Sequence, residues 1–255
     1  MQPNIKPLVT LVVCFFFNGL LISYGQSFDE GQKKLAEAKN LEHSLYPSFT
    51  EELFNQTIKA YHQAGETFFS LNNSIESDKK VYASYYTLVA WGNEGEMEEA
   101  LNRYRPVCDI FVNTFDQLIP AEKVSQFKQN PAFTVSQNDY DSVWNKTLWM
   151  LYFNTIQAHK DIFVIKYGSL LKTRLKADDK ALSEVLLNIL QSNLNLNQAT
   201  EAYILCEEWF AKNKISKPKN EELQAQLSQC LNVLINNYAS SLSAEQIKNL
   251  ERWSK

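Results

Sequence analysis

The residues able to do chemistry are few, and their spacing does not suit it. Histidine occurs at His43, His62 and His159. None stands three or four residues from another histidine or a cysteine, the spacing that puts two metal ligands on one helical face. HExxH, the paired Glu-x-x-His of a di-iron bundle and GxSxG are all missing. The glycines between residues 26 and 255 compose neither GxGxxG nor a phosphate loop. Gly92 and Gly95 come nearest and are read as a turn joining two helices. Carboxylates such as Glu98, Glu99, Glu207 and Glu208 could exchange protons only in a dry cleft that separates their pKa values. Their helical positions are read as facing water. The chain is therefore expected to be a non-enzyme, with no catalytic residue, no metal site and no cofactor.

Charge and cysteine narrow the partners. The formal net charge is −4 and no long Lys/Arg block exists, so the phosphate neutralisation that dominates nucleic-acid binding has no source here. No nucleic-acid partner is expected. Cys14 lies in an N-terminal apolar segment, which leaves Cys108, Cys206 and Cys230. An odd number cannot all pair within one chain. Whether Cys206 and Cys230 bridge is open, because sequence cannot set the required geometry.

The elements that must position these residues are helices. Residues 26–255 hold five of the 7 glycines and five of the 7 prolines, about one-third of the usual share of roughly 12%. Sheet-rich folds need these residues for their many turns, so the scarcity points to an all-α chain. Apolar period and caps predict helices at 28–45, 49–71, 77–91, 96–115, 139–175, 178–193, 197–213, 220–240 and 244–254. Leu53, Phe54, Ile58, Tyr61, Ala64, Phe68 and Leu71 form one stripe in the second of these. Ser48 with Glu51, and Ser243 with Gln246, read as capping boxes. Pro106 should kink or divide the fourth. Residues 116–138 read as a long connection, a kind of segment that is commonly mobile or functional.

The first 25 residues have their own pattern. Lys6 precedes a continuous apolar run, Leu8 to Phe17, and Ser23-Tyr24-Gly25 places small residues at −3 and −1 before Gln26. This is the three-part plan of a secretory signal peptide, and its Ser-Tyr-Gly-Gln ending resembles signal peptides of the Bacteroidetes. The expectation is a leader over 1–25, a single all-α domain over 26–255, a secreted or periplasmic location, and no membrane span after cleavage.

Within that domain, Leu88, Trp91, Gly95, Ala100 and Tyr104 follow the large, aromatic, turn, small and aromatic order of a helix pair. Leu187, Leu190, Ala199, Tyr203 and Cys206 repeat it with Leu194 at the turn position. Leu151, Ala158, Phe163, Tyr167 and Leu170 give a weaker copy, and Thr57, Tyr61 and Ala64 the weakest. The pattern resembles a degenerate tetratricopeptide repeat. Its crossing positions, 57, 100, 163 and 199, depart from the family's regular period, and an irregular helical bundle is the alternative.

The resemblance implies antiparallel helix pairs stacked as a short α-solenoid whose first helices line a concave face. Tyr82, Tyr85 and Val89 would line it in the early unit, and Glu184, Asn188 and Gln191 in the later one. It further implies a non-catalytic interaction scaffold or assembly factor that binds a protein or peptide of the cell envelope, with no oligomeric state specified. A different class of reading is a helical glycan- or small-molecule-binding protein, or a hydrolase without known motifs. It would use an aromatic-lined cleft near 116–138, with Tyr140, Trp144 or Trp149 stacking on the ligand and Asp139 and Asp141 making polar contacts.

Overall fold

The computed structural model describes residues 28–73, 77–101, 106–119, 121–126, 135–176, 180–212, 218 and 220–254. The expected leader lies outside these residues. The fold is all-α, and no strand occurs among the described residues. In chain order the helices are α1 (28–45), α2 (Glu51–Leu71), α3 (Ser77–Ala100), α4 (Pro106–Thr114), α5 (Gln137–Gln157), α6 (Asp161–Lys172), α7 (Lys180–Asn195), α8 (Ala199–Glu207), α9 (Glu221–Asn237) and α10 (Ala244–Ser254). Among the described residues no helix is long and apolar enough to cross a membrane. One domain is expected over 26–255; the chain divides into two compact units, with the boundary inside α5 between Thr147 and Leu148.

In the first unit α2 buries Phe54, Ile58, Tyr61, Ala64, Phe68 and Leu71, six of the seven residues of its expected stripe. Its N-cap is Thr50 rather than Ser48: Thr50 is extended, and its hydroxyl accepts the Leu53 N–H at 3.2 Å. Helix α3 packs along α2. It differs from the sequence reading, because it runs unbroken through Gly92–Gly95, the expected turn. No described glycine has a positive φ. The physical reason lies in packing. Trp91 sits so close to α2 that a Cβ on Gly65 would overlap its indole, and the Thr147 hydroxyl lies 3.0 Å from where a Cβ on Gly92 would stand. The bare backbone of Gly65 and Gly92 thus admits close neighbours, and the helical hydrogen bonds continue. Pro106 divides the next predicted helix, opening α4 at a position where a missing N–H costs little.

The expected connection at 116–138 contains two 3₁₀ stretches, Phe115–Gln117 and Ala121–Gln126. It ends in a capping box at α5. The Ser136 hydroxyl accepts the Asp139 N–H at 3.1 Å, and the Asp139 carboxylate accepts the Ser136 N–H at 3.2 Å.

The second unit is built of helix pairs joined by tight turns. α5 gives way to α6 through Ala158–Lys160, and α7 to α8 through Leu196–Gln198. The two turns share one geometry. His159 (φ 54°) and Asn197 (φ 58°) occupy the left-handed region. The Lys160 N–H reaches back to the Thr155 carbonyl and the His159 N–H to that of Ile156; Gln198 and Asn197 do the same to Asn193 and Leu194. This is the Schellman closure of a helix C-terminus, and its two copies lie 38 residues apart. The Ser243–Gln246 box closes at α10 as expected, with bonds of 2.8 and 3.2 Å.

Candidate functional site

Helix α7 is the centre of the second unit, packed against α6, α8 and α9. Leu182, Val185, Leu186, Leu187, Ile189, Leu190 and Leu194 are buried, so several of its faces are committed to the core. Glu184, Asn188, Gln191 and Asn195 form the one remaining strip, each a helical turn from the next, and all are exposed or half-buried.

Side chains along this strip reach the neighbouring first helices of the pairs. Asn188 Nδ2 donates to the phenol oxygen of buried Tyr152 on α5 at 3.0 Å. The Cys230 thiol of α9 donates to Gln191 Oε1 at 3.3 Å, and Gln191 Nε2 donates to Asn195 Oδ1 at 3.0 Å. Asn195 Nδ2 then donates to Asp161 Oδ1 at 3.1 Å. A parallel set joins the second helices. Lys172 of α6 pairs with Glu208 just past α8 at 2.6 Å, and Asn249 of α10 donates to the Tyr203 phenol of α8 at 3.1 Å. Burial raises the Tyr152 phenol to about 12, against the opposing bond from Asn188. Tyr152 is therefore a neutral pivot.

Beside the strip α5 carries an aromatic shelf. Trp149 and Phe153, one turn apart, stack with centroids 5.5 Å apart and planes at 23°. Tyr152 lies against both from below, at 6.0 and 5.6 Å. Phe153 remains 41% exposed. An aromatic pair, an amide and a carboxylate on adjacent helices can hold a side chain that offers both a flat face and polar hydrogens.

The expected site residues fall in different environments. Glu184, Asn188 and Gln191 are the strip itself, though the Asn188 and Gln191 amides are engaged within the chain. Tyr82 is 1% exposed and belongs to the core, so it cannot line a surface. Val89 packs, half-buried, against the first unit's core, and Tyr85 meets the Tyr86 and Tyr140 rings. Of the residues in the alternative cleft, Tyr140 and Trp144 are buried, with Trp144 on Phe115 at 4.5 Å, and Asp139 caps α5. Asp141 accepts from Gln137 at 3.1 Å. Of the three aromatics in that group, Trp149 alone reaches the surface, half-buried.

One reading of a polar residue needs correction. Glu98, expected to face water, is fully buried, as is Glu94. The unbroken α3 places both on the inward face of Trp91, whereas a turn at Gly92–Gly95 would have reset their phase. His62 of α2 lies between Glu94 (Nδ1 to Oε2, 3.2 Å) and Glu66 (Nε2 to Oε1, 3.2 Å), with its ring stacked over Trp91 at 6.3 Å. The hydrogen bond that His62 donates to Glu94 raises the His62 pKa; burial opposes the rise, and the charges of Glu94 and Glu66 add to it. Only the i, i+4 partner Glu66 was legible beforehand. Among the described residues no three His, Cys, Asp or Glu side chains are grouped to hold a metal ion.

Cys206 and Cys230 are buried free thiols. Burial pushes both above the ordinary thiol range, Cys230 to about 11, as for inert core cysteines. No family model matches the sequence, and no curated protein or solved structure matches it.

Proposed function

We propose that the chain is a non-catalytic interaction scaffold or assembly factor, directed out of the cytoplasm by residues 1–25, whose second unit binds a protein or peptide of the cell envelope. In this reading α5–α6, α7–α8 and α9–α10 are three tetratricopeptide-like pairs. The observation that carries it is the pair of ladders: first helix to first helix through Tyr152–Asn188 and Gln191–Cys230, and second to second through Lys172–Glu208 and Tyr203–Asn249. Stacked pairs of this kind expose a continuous face made by their first helices, the usual partner surface of a solenoid. The repeated turn at His159 and Asn197 supports the same register.

Photo-crosslinking in the native cell tests it. A photoreactive residue in place of Glu184 is expected to trap one discrete partner, and the same residue in place of Glu201, exposed on α8, is expected to trap none. Equal labelling at the two positions, or none at Glu184, would overturn the assignment of the face.

A further inference from the structure

We propose that the surface between the Trp149–Phe153 shelf and Glu184 is a receptor for a cationic side chain, arginine or lysine, presented by an extended polypeptide. This rests on the interaction-face reading and names what that face selects.

The argument comes from comparing stacked aromatic pairs within the second unit. Phe163 and Tyr167 stack at 16° with centroids 6.2 Å apart, and Lys166 Nζ lies 5.9 and 5.4 Å from their centres. The Phe210–Trp253 pair stacks at 22°, and Arg252 lies 6.0 Å from the Trp253 ring. Lys166 lies on the helix of its pair and Arg252 on the helix of Trp253, as the negative face of a π system favours; the Trp209–Phe210 stack, whose indole is fully buried, holds no cation among the described residues. Trp149 and Phe153 have the same spacing and tilt but hold no cation among the described residues.

The neighbouring charge is also unmatched. Glu184 is exposed, one turn before Asn188 on α7, and pairs with no Lys or Arg among the described residues. Its negative charge reaches the Tyr152 phenol, which joins both shelf rings. Asn188 spends an N–H on Tyr152, which leaves its Oδ1 as an acceptor beside the carboxylate. The shelf offers π faces, and beside it stand a carboxylate and an amide oxygen that accept, the complement of a guanidinium or ammonium group. The strip from Glu184 to Asn195 spans about 16 Å at helical rise, the reach of roughly five extended residues. A single basic residue within a short extended segment therefore fits it.

The test uses the full chain from Gln26 and two blocked pentapeptides, acetyl-Ala-Ala-Arg-Ala-Ala-amide and its citrulline counterpart, which keeps the shape without the charge. The indole N–H resonance of Trp149, identified by its loss in Trp149→Phe, is followed at low salt. The arginine peptide is expected to move it saturably and the citrulline peptide to leave it in place. Glu184→Gln should weaken the arginine response about fivefold, as loss of an exposed ion pair implies. Phe153→Ala should weaken it as well, and both positions are exposed enough for the fold to survive. A Trp149 resonance that ignores the arginine peptide, or that moves equally with citrulline, overturns the cation receptor. If the Glu184 crosslink still forms, the interaction face stands without it; if the crosslink fails too, both readings fall.

Discussion

In the first unit two carboxylates lie inward. Glu94 and Glu98 are buried on α3, His62 bridges Glu94 and Glu66, and the Tyr61 phenol is bonded to Glu42. In the second unit the buried faces of α7 are mainly aliphatic, with Ser192 and Asn193 the neutral polar exceptions, and its exposed polar groups form an outer strip linked by amides. The contrast separates two uses of polarity. Charge placed inside ties local stability to protonation, because a buried carboxylate depends on its partner. Amides placed at the rim position neighbouring helices and leave part of their hydrogen-bonding capacity available to a ligand.

The largest expected effect tests the packing side of this contrast. Gly65→Ala drives a methyl group into the Trp91 indole and should cost the first unit about 3 kcal/mol, the upper part of the overpacking range. Gly168→Ala in the second unit makes a milder approach, to Ile189 Cγ1 at 2.8 Å, its terminal Cδ1 at 3.0 Å and the Tyr152 ring at 3.2 Å. It should cost about 1 kcal/mol or less, since alanine's helix propensity offsets part of the clash. Thermal unfolding of the two variants compares them, and equal losses would break the contrast.

Next comes pH. The folded pKa of His62 is raised above the ordinary 6.5, so its contribution is complete below that value and is lost as pH rises through the folded value. His62→Gln should cost about 2 kcal/mol at the acid end, the worth of a charge-assisted bond. It should flatten the pH dependence of hydrogen-exchange protection in α2 and α3 while leaving α7 and α8 unchanged. An unaltered slope in α2 would remove the first unit's claim to a protonation-linked core.

Tyr152→Phe is smaller. It deletes the acceptor for Asn188 and should lower stability by about 1 kcal/mol, with increased amide exchange concentrated in α5 and α7. Exchange that rises in α2 instead would contradict the assignment of this bond to the second unit.

The smallest effect has the opposite sign. His159→Gly relieves a left-handed backbone at φ 54° and should stabilise the α5–α6 turn by about 0.5 kcal/mol. Asn197→Gly should change chemical denaturation midpoints less, because asparagine tolerates this region better.

Much of the fold was legible because its signals are local. The α2 stripe and the Ser243–Gln246 box involve residues within a few turns of one another, and both stand where the pattern places them. The repeat register was read less well. Spacing of alanine and aromatic residues aligns Phe163 with Ala199, whereas the turns align His159 with Asn197. Neither turn residue is glycine, so the left-handed closure leaves a weak trace in composition. Of the candidate face, Glu184, Asn188 and Gln191 were named through the tetratricopeptide resemblance. Trp149 was assigned to a different cleft and Phe153 was missed, since an exposed aromatic in a helix looks like any core aromatic until its neighbours are known.

The sequence by itself determined the all-α class, through scarce glycine and proline and the helical period of its apolar residues. It also determined the start of α10, through a capping box that acts within three residues. Only the tertiary structure decided whether Gly92–Gly95 would turn or continue, and hence that Glu94 would meet His62 and Glu98 would be buried. A glycine permits either course locally. The choice depends on what approaches it from elsewhere in the chain, here Trp91 against Gly65 and Thr147 against Gly92. Such contacts join residues tens of positions apart, and no local period encodes them.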